Sequence, residues 1–395
     1  MRIRLIRILL AALCAALLLT ACGRDVIPPP PEEPEIPAPP PEPEEVLSPE
    51  EALLRSMTLE EKAGQVFFVR APGEGAAEDI ALYHLGGYLL FGQHTREKTA
   101  SALIQMLDSY QAAAVENMNI PLLIGVDEEG GTVVRVSSNP HLRSKKFSSP
   151  RKLLKNAEDG WTALEEETRE KAMLLKALGI NVNLAPVADL SEDPGDFIYD
   201  RSAGGDPEAV FQYASRVVGI HSEYGLGSVL KHFPGYGNNR DTHNGIAVDN
   251  RPMEEFRQRD FLPFQRFAAL ENPPAILVSH TIVNCMDPEL PASLSPEVHR
   301  VLREELGFDG VVMTDDLAMD AVKAYAADGA VAALQAGNDL VIAADYRTQI
   351  PLVIEAVENG TLEEAVLDAA CLRVLRWKMA LGLLEVSEDG ELVPR

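Results

Sequence analysis

Basic residues, metal-binding motifs and long apolar stretches are all scarce in this chain, and each scarcity excludes a class of protein. The 395 residues include 35 Lys and Arg against 61 Asp and Glu, for a formal net charge of −26. No basic patch is present, so a nucleic acid is not expected as a partner. Neither an H-E-x-x-H motif nor a Cys/His cluster occurs, so we expect no metal ion and no other cofactor.

The one strongly apolar stretch lies at the N-terminus and has the pattern of an export signal. It follows an arginine-rich start and is too short for a stable membrane-spanning helix. It ends in Leu19-Thr20-Ala21-Cys22, which resembles the bacterial lipobox. Residues 1–21 are therefore predicted to be a lipoprotein signal peptide, and Cys22 the site of lipidation. An ordinary signal peptide with an incidental cysteine is the alternative. Either way the mature protein is exported, and with the lipid it is anchored to the membrane outside the cytoplasm.

A run of proline and glutamate follows and separates the anchor from the rest of the chain. Residues 22–47 cannot bury apolar surface, so they are predicted to form an extended linker. Residues 48–395 are predicted to be a single catalytic domain. Two of the four cysteines, Cys285 and Cys371, lie in this domain. They could pair in an oxidising exterior, but their wide spacing without a C-x-x-C motif is more typical of independent thiols.

Short apolar, β-branched runs alternate with amphipathic helical stretches throughout the domain. Eight runs are candidate strands: 65–70, 86–92, 121–127, 181–190, 228–233, 275–280, 310–316 and 339–345. Alternation of strands with helices implies parallel pairing, and eight such units favour an α/β fold of the (β/α)8 TIM-barrel type. An open doubly wound sheet is the alternative, but the first βα turn lacks a G-x-G-x-x-G signature.

Polar residues follow most of these runs at their carboxyl ends. They are Asp127, Asp189, Lys231-His232, Ser279-His280, Asp315-Asp316 and Asp345. Active sites of parallel barrels lie at the carboxyl ends of the strands. Clustered like charges are unfavourable unless they have a function, so this convergence predicts an active site.

The segment "KHFPGYGNNRDTHNG", residues 231–245, contains an aspartate and a histidine two residues apart on a loop. An aspartate that accepts a hydrogen bond from one imidazole nitrogen orients the ring and prepares the other nitrogen for proton transfer. Asp241 and His243 are therefore a candidate acid/base dyad. The alternative is that they are polar loop residues, with Asp241 capping a turn. Three glycines give the loop conformational freedom: Gly235, Gly237 and Gly245.

The Asp315-Asp316 pair ends the seventh candidate strand. Successive residues of a strand point to opposite sides, so one aspartate is expected to face the reaction centre while the other braces the loop. If the D-x-H loop were only a substrate lid, the proton donor would have to be sought among Glu128, Glu129 and Asp316.

Several segments in order resemble glycoside hydrolase family 3, and within it the bacterial β-N-acetylglucosaminidases, or β-hexosaminidases. The resemblance extends from about Met57 to about Leu384. The matching segments are "GVDEEGGTVVR", "NLAPVADL", "DRSAGGDP", "KHFPGYG" with "DTH", and "ELPASLSPEVHRVLREELGFDGVVMTDDLAMDAV". Tyr236 stands where the subgroup usually has His, and Thr132 where Arg is common.

The resemblance implies a role for each matching residue. Asp315 would be the catalytic nucleophile and His243 the general acid/base, with Asp241 as its partner. The sugar in the −1 site would be bound by five residues: Asp127, Arg135, Arg201, Lys231 and His232.

These roles imply an exo-acting retaining enzyme that removes terminal β-linked N-acetylglucosamine and acts as a monomer. The expected substrates are cell-wall fragments of the N-acetylglucosaminyl-N-acetylmuramic acid type, in peptidoglycan turnover. A β-glucosidase-like or phosphorolytic enzyme of the same family is one alternative. A catalytically inactive lipoprotein that binds wall sugars is another, although Asp315, Asp241 and His243 are all intact.

Overall fold

The computed structural model describes residues 47–156, 159–239, 245–322 and 328–395. Residues Leu47–Arg395 form one compact unit. The predicted signal peptide, Cys22 and all of the predicted linker except Leu47 lie outside the described residues. Within the described ranges, no helix combines the length and apolar character that crossing a membrane requires.

A parallel sheet forms the centre of the described structure. Strands are numbered in chain order, and this sheet contains β1 (Phe68–Arg70), β2 (Gly87–Leu90), β3 (Leu123–Val126), β4 (Val182–Asn183), β5 (Gly227–Phe233), β7 (Ala275–Val278) and β10 (Val312–Thr314). The spatial order follows the chain order, and every neighbouring pair is parallel. The prediction of a parallel α/β fold is therefore confirmed for seven of the eight candidate strands.

The eighth candidate, 339–345, contacts the two outermost strands of this sheet. Leu340 forms a parallel bridge with Met313 of β10, and Val341 forms one with Phe67, which directly precedes β1. The amide of Val341 donates to the carbonyl of Val66 at 2.8 Å. This stretch therefore pairs through isolated bridges on both sides and is not a regular strand.

One buried apolar cluster lies on the inner side of the sheet. It takes side chains from all seven strands and from the eighth stretch, among them Phe68, Leu89, Leu123, Val182, Val229, Leu277, Met313, Leu340 and Ile342. Both faces of the strands are buried because helices cover the outer side, which explains why the runs read as continuously apolar.

Helices connect the strands and cover the sheet. Their bounds are α1 (Pro49–Ser56), α2 (Leu59–Gln65), α3 (Ala76–Tyr83), α4 (Gly92–Thr95), α5 (Ala100–Met118), α6 (Pro150–Asn156), α7 (Gly160–Ala177), α8 (Pro207–Glu223), α9 (Met253–Glu255), α10 (Phe261–Ala268), α11 (Pro296–Arg300), α12 (Gly329–Ala336), α13 (Tyr346–Glu358) and α14 (Glu364–Ala380). Phe256–Asp260 and Val301–Glu305 are π-helical, and Ala292–Leu294 is a 3-10 turn.

Local sequence sets the start of these helices. Helix α8 begins at Pro207, directly after Asp206, whose side chain accepts a hydrogen bond from the amide of Ala209. This aspartate satisfies one of the otherwise unpaired amides of the first turn, and proline is well suited to the first helical position. Helix α12 ends at Ala336 and is followed by Gly337, whose φ of 114° lies in the left-handed region that glycine tolerates.

The structure differs from the prediction around the fourth strand and in two small sheets. The run 181–190 was predicted as one strand, but β4 is only Val182–Asn183, and Pro186 has no amide to donate to a ladder. The small sheets contain β6 (Val248–Asp249), β8 (Ile282–Val283) and β9 (Asp287–Pro291), and β11 (Leu384–Val386) with β12 (Leu392–Pro394). Cys285 and Cys371 are both free thiols, and Cys371 is buried.

Candidate active site

A cavity of about 740 Å³ opens at the carboxyl ends of the strands. The five predicted sugar-binding residues and the predicted nucleophile all line it: Asp127, Arg135, Arg201, Lys231, His232 and Asp315. They come from segments that are far apart in the chain and that meet because parallel strands end at one edge of the sheet.

A continuous chain of ion pairs at the wall of the cavity joins two cations and two carboxylates. The Nζ of Lys231 lies 2.7 Å from Oδ1 of Asp127 and 2.7 Å from Oε1 of Glu129. Arg201 donates to Glu129 with two nitrogens, Nε at 2.9 Å and Nη2 at 2.8 Å. This fork-like pairing fixes the plane of the guanidinium and of the carboxylate together.

The protonation of this chain follows from its pairing. Burial alone would raise the pKa of Glu129, but the adjacent Arg201 and Lys231 reverse that effect and hold the pKa well below its ordinary range. Burial alone would lower the pKa of Lys231, yet Asp127 and Glu129 raise it. Glu129 and Lys231 are therefore both charged near neutral pH, and Lys231 can donate hydrogen bonds to sugar hydroxyls.

His232 is oriented by Asp189, a buried aspartate in the loop that follows β4. Oδ2 of Asp189 lies 2.7 Å from Nδ1 of His232 and also accepts from the amide of His232 at 3.0 Å. On the other side, Nη2 of Arg201 lies 3.2 Å from Nε2 of His232. Because arginine can only donate, Nε2 is the acceptor, and the proton lies on Nδ1.

Asp315 and Asp316 divide the two roles that strand alternation predicts. The amide of Asp316 donates to Oδ1 of Asp315 at 2.8 Å, and no described residue donates to Oδ2 of Asp315. Asp316 is bound to Arg70, with Nη2 2.7 Å from Oδ2, and to the amide of Ala318 at 2.9 Å. Asp315 lines the cavity and is only partly buried, so its carboxylate is accessible there, whereas Asp316 is buried and braces the turn that follows β10.

Asp315 is ionised near neutral pH. Burial acts to raise the pKa of its carboxyl group, but His280, the amide of Asp316 and the ammonium of Lys231 together lower it. An ionised carboxylate with one oxygen fixed and the other accessible can act as a nucleophile.

The other candidate proton donors are already engaged. Glu128 accepts hydrogen bonds from the amides of Arg135 at 2.8 Å and Val136 at 2.6 Å, and it also contacts the hydroxyl of Ser137. Glu129 is locked between Arg201 and Lys231. Neither glutamate is free to approach a leaving group.

Two residues that were not predicted from the sequence, Arg70 and Phe91, form a wall of the cavity together with the predicted Arg135. The guanidinium of Arg70 lies 4.2 Å from the ring centroid of Phe91, and that of Arg135 lies 5.8 Å from the same centroid. Arg135 also lies 3.5 Å from Asp127. Arg70 directly ends β1 and Phe91 directly follows β2, so the rule that strand ends line the site would have found both.

Asp241 and His243 lie outside the described residues. The segment that precedes them is held by Arg251, which donates to the carbonyl of Gly235 at 3.2 Å and to the carboxylate of Asp260 at 3.0 Å. Gly235 has a φ of 131°, and a Cβ there would meet Asp260 at 2.2 Å. Glycine is therefore required at this position.

Within the described part of the chain, no group of three or more His, Cys, Asp and Glu side chains is arranged to hold a metal ion. The cavity that these residues form is polar, charged and accessible at one carboxylate. Such an arrangement suits the binding of a hydroxylated ligand and attack on it by Asp315.

Known proteins with similar sequences belong to one family of enzymes. The family described as "Glycosyl hydrolase family 3 N terminal domain" matches residues 58–377. The chain belongs to glycosyl hydrolase family 3. A β-hexosaminidase of Tolumonas auensis is 35% identical over 71% of this chain and 82% of its own. A β-hexosaminidase of Idiomarina loihiensis is 33% identical over 80% of this chain and 92% of its own.

Solved structures of the family share the fold. A family 3 β-N-acetylglucosaminidase from a Paenibacillus strain is 30% identical and superposes with a TM-score of 0.75. The match covers 82% of this chain and 63% of the Paenibacillus chain. This family 3 chain is a glycoside hydrolase, and a carbohydrate is its substrate.

Proposed function

We propose that this glycoside hydrolase is an exo-acting, retaining β-N-acetylglucosaminidase that acts on N-acetylglucosaminyl-N-acetylmuramic acid fragments of peptidoglycan. The observation that supports it most is the accessible oxygen of Asp315, in a cavity that also holds Lys231 and Arg201. The names of the family 3 relatives favour N-acetylglucosamine as the sugar. A cavity, unlike an open groove, admits the end of a saccharide.

In the proposed first step, Asp315 attacks the anomeric carbon while the bond to the leaving oxygen breaks. His243, in its protonated form, gives its proton to that oxygen, and Asp241 stabilises the imidazolium. The five sugar-binding residues hold the hydroxyl groups: Asp127, Arg135, Arg201, Lys231 and His232. The product is a glycosyl ester of Asp315 and a free aglycone.

In the second step, neutral His243 takes a proton from water as the water oxygen attacks the anomeric carbon. The bond to Asp315 breaks, and its carboxylate is regenerated. Two inversions give net retention of configuration. This scheme places a histidine where most glycosidases use a second carboxylate, which agrees with the engagement of Glu128 and Glu129.

The test is a comparison of purified residues 48–395 on matched aryl substrates. We expect turnover of aryl N-acetyl-β-glucosaminide to exceed that of aryl β-glucoside, with N-acetylglucosamine as the product in phosphate buffer. Preference for the glucoside would favour the β-glucosidase alternative. A sugar 1-phosphate product would indicate a phosphorolytic enzyme, and turnover of neither substrate would indicate a sugar-binding protein.

The two catalytic roles are separated by two variants. Asp315→Asn should lose activity by about 10³-fold or more on every substrate because it removes the nucleophile. His243→Ala should lose about 10² to 10⁴-fold on natural substrates. On an aryl substrate with a good leaving group it should instead show a burst, followed by slow turnover that azide accelerates. Equal losses on both substrates, with no burst, would assign the loop to substrate binding alone.

We further propose that the domain works as a closed (β/α)8 barrel and as a monomer. The bridges of Leu340 and Val341 to both outer strands support closure. A closed barrel gathers all strand ends around one mouth, as the site requires.

The proposed location is the outer side of the cell membrane, through a lipid on Cys22. The lipobox-like segment Leu19-Thr20-Ala21-Cys22 supports it. Membrane fractionation should find the wild-type protein with the membranes and the Cys22→Ala variant outside the membrane fraction. The catalytic domains of the two proteins should have equal turnover. Wild-type protein without attached lipid would contradict the proposal.

A further inference from the structure

Asp316, the neighbour of the proposed nucleophile, is hydrogen-bonded at every polar group. Its amide donates to Asp315, and its carboxylate accepts from Arg70 and from the amide of Ala318. Its carbonyl lies 3.0 Å from Nε2 of His280 and accepts from the amide of Met319 at 3.0 Å. The conformation of Asp316 is therefore fixed from several directions, and with it the amide that holds Asp315.

His280 is a buried residue just beyond the strand that neighbours β10, which the nucleophile follows. It follows β7, whose residue Val278 accepts a hydrogen bond from the amide of Asp315 at 3.1 Å. The side chain of His280 is fully buried and is not among the residues that line the cavity. Among its described contacts, the one that leads to Asp315 runs through Asp316.

The hydrogen bond between His280 and Asp316 has a defined direction, in which the imidazole donates. A carbonyl can only accept, so Nε2 of His280 carries a proton whether the ring is neutral or charged. The other nitrogen, Nδ1, lies 2.6 Å from the hydroxyl of Ser293. Ser293 is itself held, because its amide donates to Ser279 at 3.0 Å and its carbonyl accepts from Asn338 at 2.8 Å. The imidazole is thus braced from behind and directed at Asp316.

A second buried histidine, His221, also lies beside a serine hydroxyl, but its other ring nitrogen has no described partner. Nδ1 of His221 lies 2.8 Å from the hydroxyl of Ser228, and no described residue is bonded to its Nε2. Ser228 lies near the start of β5, at the end of the sheet remote from the cavity. The two histidine and serine pairs therefore differ chiefly in what Nε2 faces, which is the backbone beside the nucleophile only for His280.

We propose that His280 is a positioning residue for the glycosylation step: it fixes the backbone of Asp316 and thereby aims the carboxylate of Asp315 at the anomeric carbon. The proposal rests on the proposed function, in which Asp315 is the nucleophile. Small displacements of a reacting group lower rates strongly because attack requires a near-aligned geometry. The lowering of the pKa of Asp315, to which His280 contributes against the effect of burial, agrees with this role.

The experiment compares His280→Leu with His280→Gln, whose amide can donate to the carbonyl of Asp316. On aryl N-acetyl-β-glucosaminide, His280→Leu should slow the glycosylation step by about 10 to 100-fold with KM changed by less than about 3-fold. His280→Gln should recover most of this loss. Ser293→Ala, which removes only the brace, should show a smaller loss and provides the test if His280→Leu does not fold.

The control is His221→Leu, which removes the same kind of buried pair far from the cavity. We expect it to lower thermal stability as His280→Leu does but to keep the glycosylation rate. Equal rate losses in both variants, a loss only in KM, or no recovery in His280→Gln would overturn the proposal. Asp315→Asn is measured alongside. If it stays active, the proposed nucleophile is wrong and this inference fails with it. If it is inactive while His280→Leu is normal, only this inference fails.

Discussion

Two buried lysines at opposite ends of the sheet show what distinguishes the active site from the rest of the core. Lys231 lies near the carboxyl end of β5, beside the cavity, and is 2% exposed, whereas Lys378 in α14 is 0% exposed. Lys378 lies at the other end, where its Nζ donates to Oε1 of Gln65 at 2.7 Å, just before β1. Burial is therefore the same for both lysines, but their partners differ.

Burial acts to lower the pKa of both lysines, but the partners of Lys231 reverse this effect and the partner of Lys378 does not. Burial lowers the pKa of Lys378 to about 7, because the amide of Gln65 adds no negative charge. Lys231 experiences the same desolvation, but Asp127 and Glu129 raise its pKa above its ordinary value. Of these two lysines, only the one beside the cavity has counter-charges, which cost desolvation free energy of their own.

The largest effect in this comparison is expected from Lys231→Met. The change leaves Glu129 with Arg201 as its remaining partner and Asp127 with only the longer contact to Arg135, so we expect a loss of about 3–5 kcal/mol in the free energy of unfolding. We also expect kcat/KM on aryl N-acetyl-β-glucosaminide to fall by about 10 to 100-fold, since a charge-assisted hydrogen bond to the sugar is lost. Denaturant titration and steady-state kinetics measure the two.

Lys378→Met is the matched change at the other end of the sheet. It removes a lysine of equal burial without leaving a charge unpaired, so we expect a smaller loss of stability at pH 7 and unchanged kcat/KM. If Lys378→Met lowered kcat/KM as much as Lys231→Met does, the division between the two ends of the sheet would be wrong.

Lys378 also predicts a pH dependence of stability. Its folded pKa of about 7 lies below its ordinary value of 10.5, so between these values the unfolded chain binds a proton that the folded chain does not. Stability of the wild type relative to Lys378→Met should therefore rise with pH across this window, by about 1.4 kcal/mol per pH unit at most. Unfolding titrations at pH 7, 8 and 9 would show it, and parallel curves for the two proteins would refute it.

The smallest effect is expected at an ion pair on the surface. Nη1 of Arg169 lies 2.5 Å from Oε2 of Glu223, which is shorter than the 2.7 Å between Nζ of Lys231 and either of its carboxylate partners. The side chains of Arg169 and Glu223, however, are 43% and 57% exposed. Solvent screens such pairs, so Arg169→Gln should leave the unfolding midpoint unchanged within error and kcat/KM intact. A clear shift would mean that distance, and not burial, sets the strength of the pairs in this protein.

Much of the site could be predicted because chain pattern and barrel geometry together locate strand ends. Lys231 and Asp315 follow apolar runs directly, and parallel strands bring such positions to one edge. The eighth candidate was predicted to be a regular strand, but Leu340 and Val341 form only isolated bridges. A run of apolar residues does not distinguish such bridges from a continuous ladder of β-sheet hydrogen bonds. Asp241 and His243 remain predictions.

Three consecutive acids show what the sequence by itself determined and what it left open. Apolar periodicity placed Asp127, Glu128 and Glu129 after β3, at the active end of the sheet, because hydrophobic burial depends on residue type and spacing alone. Their separate partners depend on where distant segments arrive: Lys231 for Asp127, the amides of 135–137 for Glu128, and Arg201 with Lys231 for Glu129. Electrostatic interactions act over a few ångströms between groups that are up to about a hundred residues apart in the chain, so only the tertiary structure decided which carboxylate neutralises which cation.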